Sequence, residues 1–176
     1  MKKTIAIFIL FYINSLISEE MIIGSEVIDP GIEFVFEAAP KDTIYPEELH
    51  LPETETDLHI EMLANWTETN FVKAPVGGFV AYLNVMLKMV NDNGQTLEVL
   101  LTPHLNLIDN LHYAKNIKLP GTLDDSYDLT FTVSPPNKNA FGIHYDWFNQ
   151  FGGLIESYSF SYEDLNFKEI ALKQRR

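Results

Sequence analysis

Residues 79–102 read FVAYLNVMLKMVNDNGQTLEVLLT, and this stretch decides the fold. Phe79, Ala81, Leu83, Val85, Leu87 and Met89 form one apolar set, with Tyr82, Asn84 and Lys88 opposite. That two-residue period predicts a strand over 79–90 with one face buried. Asn91-Asp92-Asn93-Gly94 then reads as a hairpin turn, because Asn and Gly tolerate positive φ. Residues 96–102 return as the partner strand, with Leu97, Val99 and Leu101 directed inward.

The same period recurs on both sides. Upstream, Leu58, Ile60, Met62 and Ala64 fall on one face of a predicted strand, and His59, Glu61 and Leu63 on the other. If the apolar set faces the core, His59 and Glu61 face outward or into a site covered by a loop. Earlier still, residues 32–37 alternate apart from Val35 and read as the first strand, introduced by the turn Asp29-Pro30-Gly31. Between these strands, prolines at 40, 46 and 52 leave no room for a helical period. Residues 38–55 are therefore a long surface connection, of the kind that often carries function.

Downstream, residues 115–118 read as a short strand and 127–134 as a longer one, stopped by Pro135-Pro136. A loop rich in Asn and aromatics carries His144, Tyr145, Asp146 and Trp147. Residues 154–162 alternate once more, and a segment near Phe167, Ile170 and Leu172 reads as an edge strand. No segment longer than a dozen residues keeps a helical period. Short strands punctuated by turns within 176 residues predict one all-β domain, an antiparallel β-sandwich.

Composition narrows the function. A formal net charge of −13 argues against a nucleic-acid partner, which needs a basic footprint. The chain contains no cysteine, so disulfides and thiolate metal sites are excluded. Met1-Lys2-Lys3, the apolar run from Thr4 to Ile13 and the small residues Ser15 and Ser18 have the layout of a secretory signal peptide. Cleavage near Ser18 would leave residues 19–176 as the mature domain, exported most simply to a bacterial periplasm. Without Lys2 and Lys3 that domain carries a charge near −15.

Three short segments carry candidate chemistry. His59 and Glu61 lie two apart, as do His144 and Asp146, and residues 104–113 hold His104, Asp109 and His112. Imidazoles suit copper, zinc, iron or nickel, and carboxylates beside them favour harder ions such as iron or manganese. The segments read either as three parts of one metal site or as histidines that happen to fall in loops. No G-x-S-x-G, phosphate-binding glycine loop or calcium-loop pattern is present. Tyr145, Trp147 and Phe148 could stack on a sugar or close an interface, which leaves a non-catalytic module that binds a protein or glycan as the alternative.

In order and spacing, Leu51-Pro52, Asp57-Leu58-His59-Ile60-Glu61, Val90-Asn91-Asp92-Asn93-Gly94, the run from Asp109 to Lys118, Gly121 and Ser134-Pro135-Pro136 resemble the periplasmic Fe2+-transport protein family. The likeness runs from Gly24 to Glu163. It implies an immunoglobulin-like sandwich, a homodimer that binds copper and iron near its subunit interface, and work beside an inner-membrane iron permease. Accessory Fe2+ oxidation at the same site is a further implication. By resemblance, His59, Glu61, Asp109 and His112 take the family's metal-site positions. His144 matches an H-x-D loop able to reach across from the partner subunit. Relatives carry a methionine ligand where this chain reads Thr102-Pro103-His104-Leu105, so either His104 or Leu105 takes its place. An imidazole there would lean the site toward Cu(II), zinc or iron rather than Cu(I).

Overall fold

The computed structural model describes residues 20–107 and 109–173. The expected signal segment, residues 1–18, lies outside the described residues. Among the described residues eight antiparallel strands follow one another: β1 (Met21–Ile28), β2 (Ile32–Ala39), β3 (Leu58–Trp66), β4 (Asn84–Asn91), β5 (Thr96–Leu105), β6 (Leu111–Ile117), β7 (Tyr127–Ser134) and β8 (Tyr158–Leu165). They pair in the order β1-β2-β3-β6-β5-β4-β7-β8. The expected all-β antiparallel sandwich is the observed architecture.

β5 links the two layers. Its first half pairs with β4, from Thr96 opposite Val90 to Leu101 opposite Val85. Its second half pairs with β6, from Thr102 opposite Ala114 to Leu105 opposite Leu111. One layer is thus β1-β2-β3-β6, and the other is β4-β7-β8. Their inner faces meet through aromatic rings, with Phe36 on β2 lying 4.4 Å from Phe131 on β7 and 5.4 Å from Phe160 on β8. At Gly24 on β1 a Cβ would run into the Tyr162 ring of β8, so glycine there permits the close approach of the outermost strands.

The predicted faces hold where the period is clean. Leu58, Ile60, Met62 and Ala64 of β3 are all fully buried, as are Val85, Leu87 and Met89 of β4. Full burial of a side chain of this size stabilises the fold by about 1.5–3 kcal/mol. The turn Asn91-Asp92-Asn93-Gly94 joins β4 to β5, with Gly94 at φ 78°.

Several boundaries differ from the sequence reading. The strand expected from Phe79 begins at Asn84, because Tyr82 takes φ 66° and ends the extended run. The buried Tyr113 hydroxyl ties this kinked segment down, donating to the Val80 carbonyl (2.8 Å) and accepting from the Leu83 amide (2.9 Å). β1 precedes what the sequence presented as the first strand; its burial is irregular, and an edge strand needs no clean alternation. β6 starts at Leu111, earlier than expected, and β5 continues past Pro103. The loop carrying His144 contains helix α1 (Tyr145–Phe151). The segment near Phe167, read as an edge strand, is helix α2 (Lys168–Ala171), with Ile170 and Ala171 buried.

Candidate metal centre

Alternation along β3 creates the site. With Leu58, Ile60 and Met62 in the core, His59 and Glu61 must project from the opposite face. Neighbouring strands place further polar side chains beside them. β6 pairs Asn116 with His59 and Ala114 with Glu61, so His112 stands on the same face. β5 then sets His104 directly opposite His112. On the other flank, β2 sets Glu37 opposite Glu61. The 40–57 connection folds over this face, and His59, Glu61 and His112 are all but inaccessible, at 1%, 0% and 1% exposure.

Two overlapping groups of donors result. One donor atom from each of His59, His104 and His112 lies within 4.8 Å of the others, and the same holds for Glu61, Asp109 and His112. The Glu61 carboxylate spans both groups, with Oε1 3.5 Å from His59 Nε2 and Oε2 3.9 Å from His112 Nε2. The imidazoles frame a cleft of about 440 Å3 that reaches past His50 and Tyr45.

The hydrogen bonds determine which nitrogens face the centre. Asn116 Nδ2 donates to the Asp42 carbonyl (2.7 Å) and the Leu51 carbonyl (3.0 Å) of the covering loop. Its Oδ1 therefore faces His59 Nδ1, 2.7 Å away, and must accept a proton from it. His59 is held as the Nδ1–H tautomer, with the Nε2 lone pair directed at the centre. Such an outer hydrogen bond orients a metal-binding imidazole and raises its basicity. His104 Nε2 lies 3.2 Å from Thr102 Oγ1. His104 Nδ1 is shielded from solvent and has no hydrogen-bond partner among the described residues.

The electrostatics match this arrangement. Burial, reinforced by His59, His50, His112 and Lys115, pushes the His104 imidazole down to about 3. His50 is lowered as well, by burial and then by Lys115. These rings are neutral at physiological pH, which is the form that binds metal. Burial, with Glu20 and Asp109 adding repulsion, pushes the Glu37 carboxyl up to about 7. Glu61 is fully buried with His59 and His112 beside it, where its carboxylate adds oxygen donors to the imidazole nitrogens. A divalent ion would give His104 Nδ1 a partner. The donor set therefore fits a transition metal.

The structure brings together His59, Glu61, His104, Asp109 and His112. Asp109 sits in the β5–β6 turn, where its Oδ2 accepts from Asn106 Nδ2 at 2.7 Å and Asn110 takes φ 58°. His104 points into the group, whereas Leu105 is 73% exposed. Of the two candidates for the methionine position, His104 is the one that faces the centre. His144 stands apart within this subunit. It is the N-cap of α1 and lines a second, apolar cavity with Phe79, Tyr82, Phe141 and Trp147, which shares no lining residue with the histidine cleft. Sequence reasoning passed over His50, Glu37 and Asn116. His50 lay in a segment read as a solvated loop, and the β2–β3–β6 register that aligns the other two has no local signature.

A family model described as Fe2+ transport protein matches residues 17–169. The chain belongs to the Fe2+ transport protein family. The chain is 29% identical over 133 residues to a UPF0423 protein of Brucella abortus strain 2308, covering 73% of this chain and 71% of the relative. Two solved structures share the fold at 25% identity and 82% coverage of this chain. One is the copper-reconstituted P19 protein from Campylobacter jejuni (TM-score 0.68, 94% of that chain). The other is FetP of uropathogenic Escherichia coli strain F11, expressed in the periplasm of E. coli (TM-score 0.67, 94% of that chain).

Proposed function

We propose that the protein is an exported, periplasmic metal-binding component of Fe2+ uptake. It holds copper on His59, His104 and His112 and accepts a harder ion such as Fe2+ on the Glu61–Asp109–His112 flank. The observation that carries this reading is the buried imidazole triad with its donor atoms within 4.8 Å of one another. Family membership and the copper-reconstituted state of one structural relative support it. Nitrogen donors suit copper, and the adjoining carboxylates suit iron. The protein would act as a homodimer beside an inner-membrane iron permease. Exposed Leu105, Leu107 and Leu111 around the β5–β6 turn offer an apolar rim next to the site, consistent with such a dimer.

Competition titrations with Cu2+, and anaerobic titrations with Fe2+, test the proposal. Affinity for Cu2+ should fall at least about 100-fold in His59→Ala and in His112→Ala, because each removes an oriented donor. Unchanged affinity in both variants overturns it. The apolar cavity of about 480 Å3 beside α1 favours the second reading, in which its aromatic lining binds a protein or glycan. Binding of such a partner that survives both histidine substitutions would support that reading.

A further inference from the structure

We infer that the apolar cavity beside α1 is a second binding site, for a free small molecule that carries a quaternary ammonium group. The inference goes beyond the proposed metal-binding function and uses none of its ligands, since this cavity shares no lining residue with the histidine cleft. Its volume of about 480 Å3 suits a small molecule. Trp66 comes from β3, Phe79 and Tyr82 from the kinked segment before β4, and Phe141 and Trp147 from the β7–β8 connection. Buried Val80 and Leu154 close the cavity on the inside. Among the described lining residues there is a carboxylate, Asp146, and no lysine or arginine.

The lining selects the charge of the ligand. An aromatic ring is electronegative on its face, so several rings around one space attract a cation. A quaternary ammonium has no N–H to satisfy, which suits walls that offer rings and a carboxylate rather than convergent acceptors. The rings are fixed in place. Trp147 Nε1 donates to the Gly153 carbonyl (3.1 Å), and Phe151 packs edge-on against the indole at 5.0 Å. Tyr82 and Phe141 form a second ring pair, 5.7 Å apart. Tyr82 reaches that position at φ 66°, a left-handed conformation unfavourable for a bulky residue, and the Tyr113 hydroxyl holds the segment there. Backbone strain of this kind clusters where the chain clamps a ligand. Charge complementarity agrees. Asp146 is exposed, its Oδ1 accepts from the Trp147 amide at 2.8 Å, and the chain as a whole carries −13.

The test uses full-length protein with choline and its uncharged carbon isostere, in which a tert-butyl group replaces trimethylammonium. Saturation-transfer NMR on the methyl protons reads the binding of each, and tryptophan fluorescence is the second readout. Both tryptophans of the chain line the cavity, so a saturable fluorescence change reports on this site. Choline should bind, and Asp146→Asn and Phe141→Leu should each weaken it about two- to fivefold while the isostere changes less than about twofold. Asp146→Asn keeps the acceptor for the Trp147 amide, so α1 stays in place. Absence of choline binding overturns the inference, as does equal weakening of both ligands in either variant. If choline has no effect and the tryptophan spectrum shifts on dilution of the protein, a second copy covers the cavity and the inference again fails. His59→Ala should bind choline as the wild type does, which separates failure of this site from failure of the metal centre.

Discussion

Asn116 offers the sharpest perturbation, because three contacts converge on one buried side chain. In Asn116→Leu the branched shape is kept, but the Asp42 and Leu51 carbonyls and the His59 Nδ1–H lose their partner. A typical hydrogen bond contributes about 1 kcal/mol net, and a buried group left unsatisfied costs about 1–3 kcal/mol. The two carbonyls belong to a surface loop and can regain water; His59 cannot. The metal-free variant should therefore lose roughly 2–4 kcal/mol in urea unfolding. With His59 no longer held in its tautomer, Cu2+ affinity should fall about 10–100-fold in a chelator competition assay. Asn116→Asp separates the two effects. Its carboxylate still accepts from His59 but faces two carbonyl oxygens, so stability should drop while affinity falls less than in Asn116→Leu. Wild-type stability and affinity in Asn116→Leu would refute the reasoning, since the clamp would then hold nothing.

Other expectations follow from the same geometry. Tyr113→Phe strands the buried Val80 carbonyl and Leu83 amide, and should cost roughly 1–3 kcal/mol in urea unfolding. The Glu37 carboxyl, raised by burial from 4.5 to about 7, holds an extra proton in the folded state between those values. Its contribution is thus full below about pH 4.5 and lost as pH rises through about 7. Metal-free Glu37→Gln should show a smaller fall in unfolding free energy than wild type across that window; parallel curves would contradict this. His104→Met exchanges nitrogen for a soft thioether and should weaken Zn2+ binding while improving competition for Cu(I), measured with colorimetric chelators.

How much of this was legible depended on whether the signal was local. The alternation in β3, β4 and β7 revealed those strands, because a sheet with one buried face imposes a two-residue period on any sequence that forms it. That period placed His59 and Glu61 on one face before any strand was paired. The motif order pointed to the family, and with it to His112 and Asp109. The kink at Tyr82 escaped, since its cause is Tyr113, thirty-one residues later. The two short helices escaped because four to seven residues are too few to set up a helical period.

Tertiary structure alone decided which donors meet in the candidate metal centre. Register in β5–β6 turned His104 toward His112 and Leu105 toward solvent, and a slip of one residue would have reversed them. Pairing in β3–β6 put Asn116 beside His59, fifty-seven residues away, and so fixed a tautomer that no local pattern encodes. Packing of the 40–57 loop brought His50 to the cleft while leaving His144 at another cavity. Sequence by itself determined the sandwich, the acidic cysteine-free composition and the pool of nitrogen and oxygen donors. Which of those donors meet was decided by strand register and loop closure, because each is a relation between residues far apart in the chain.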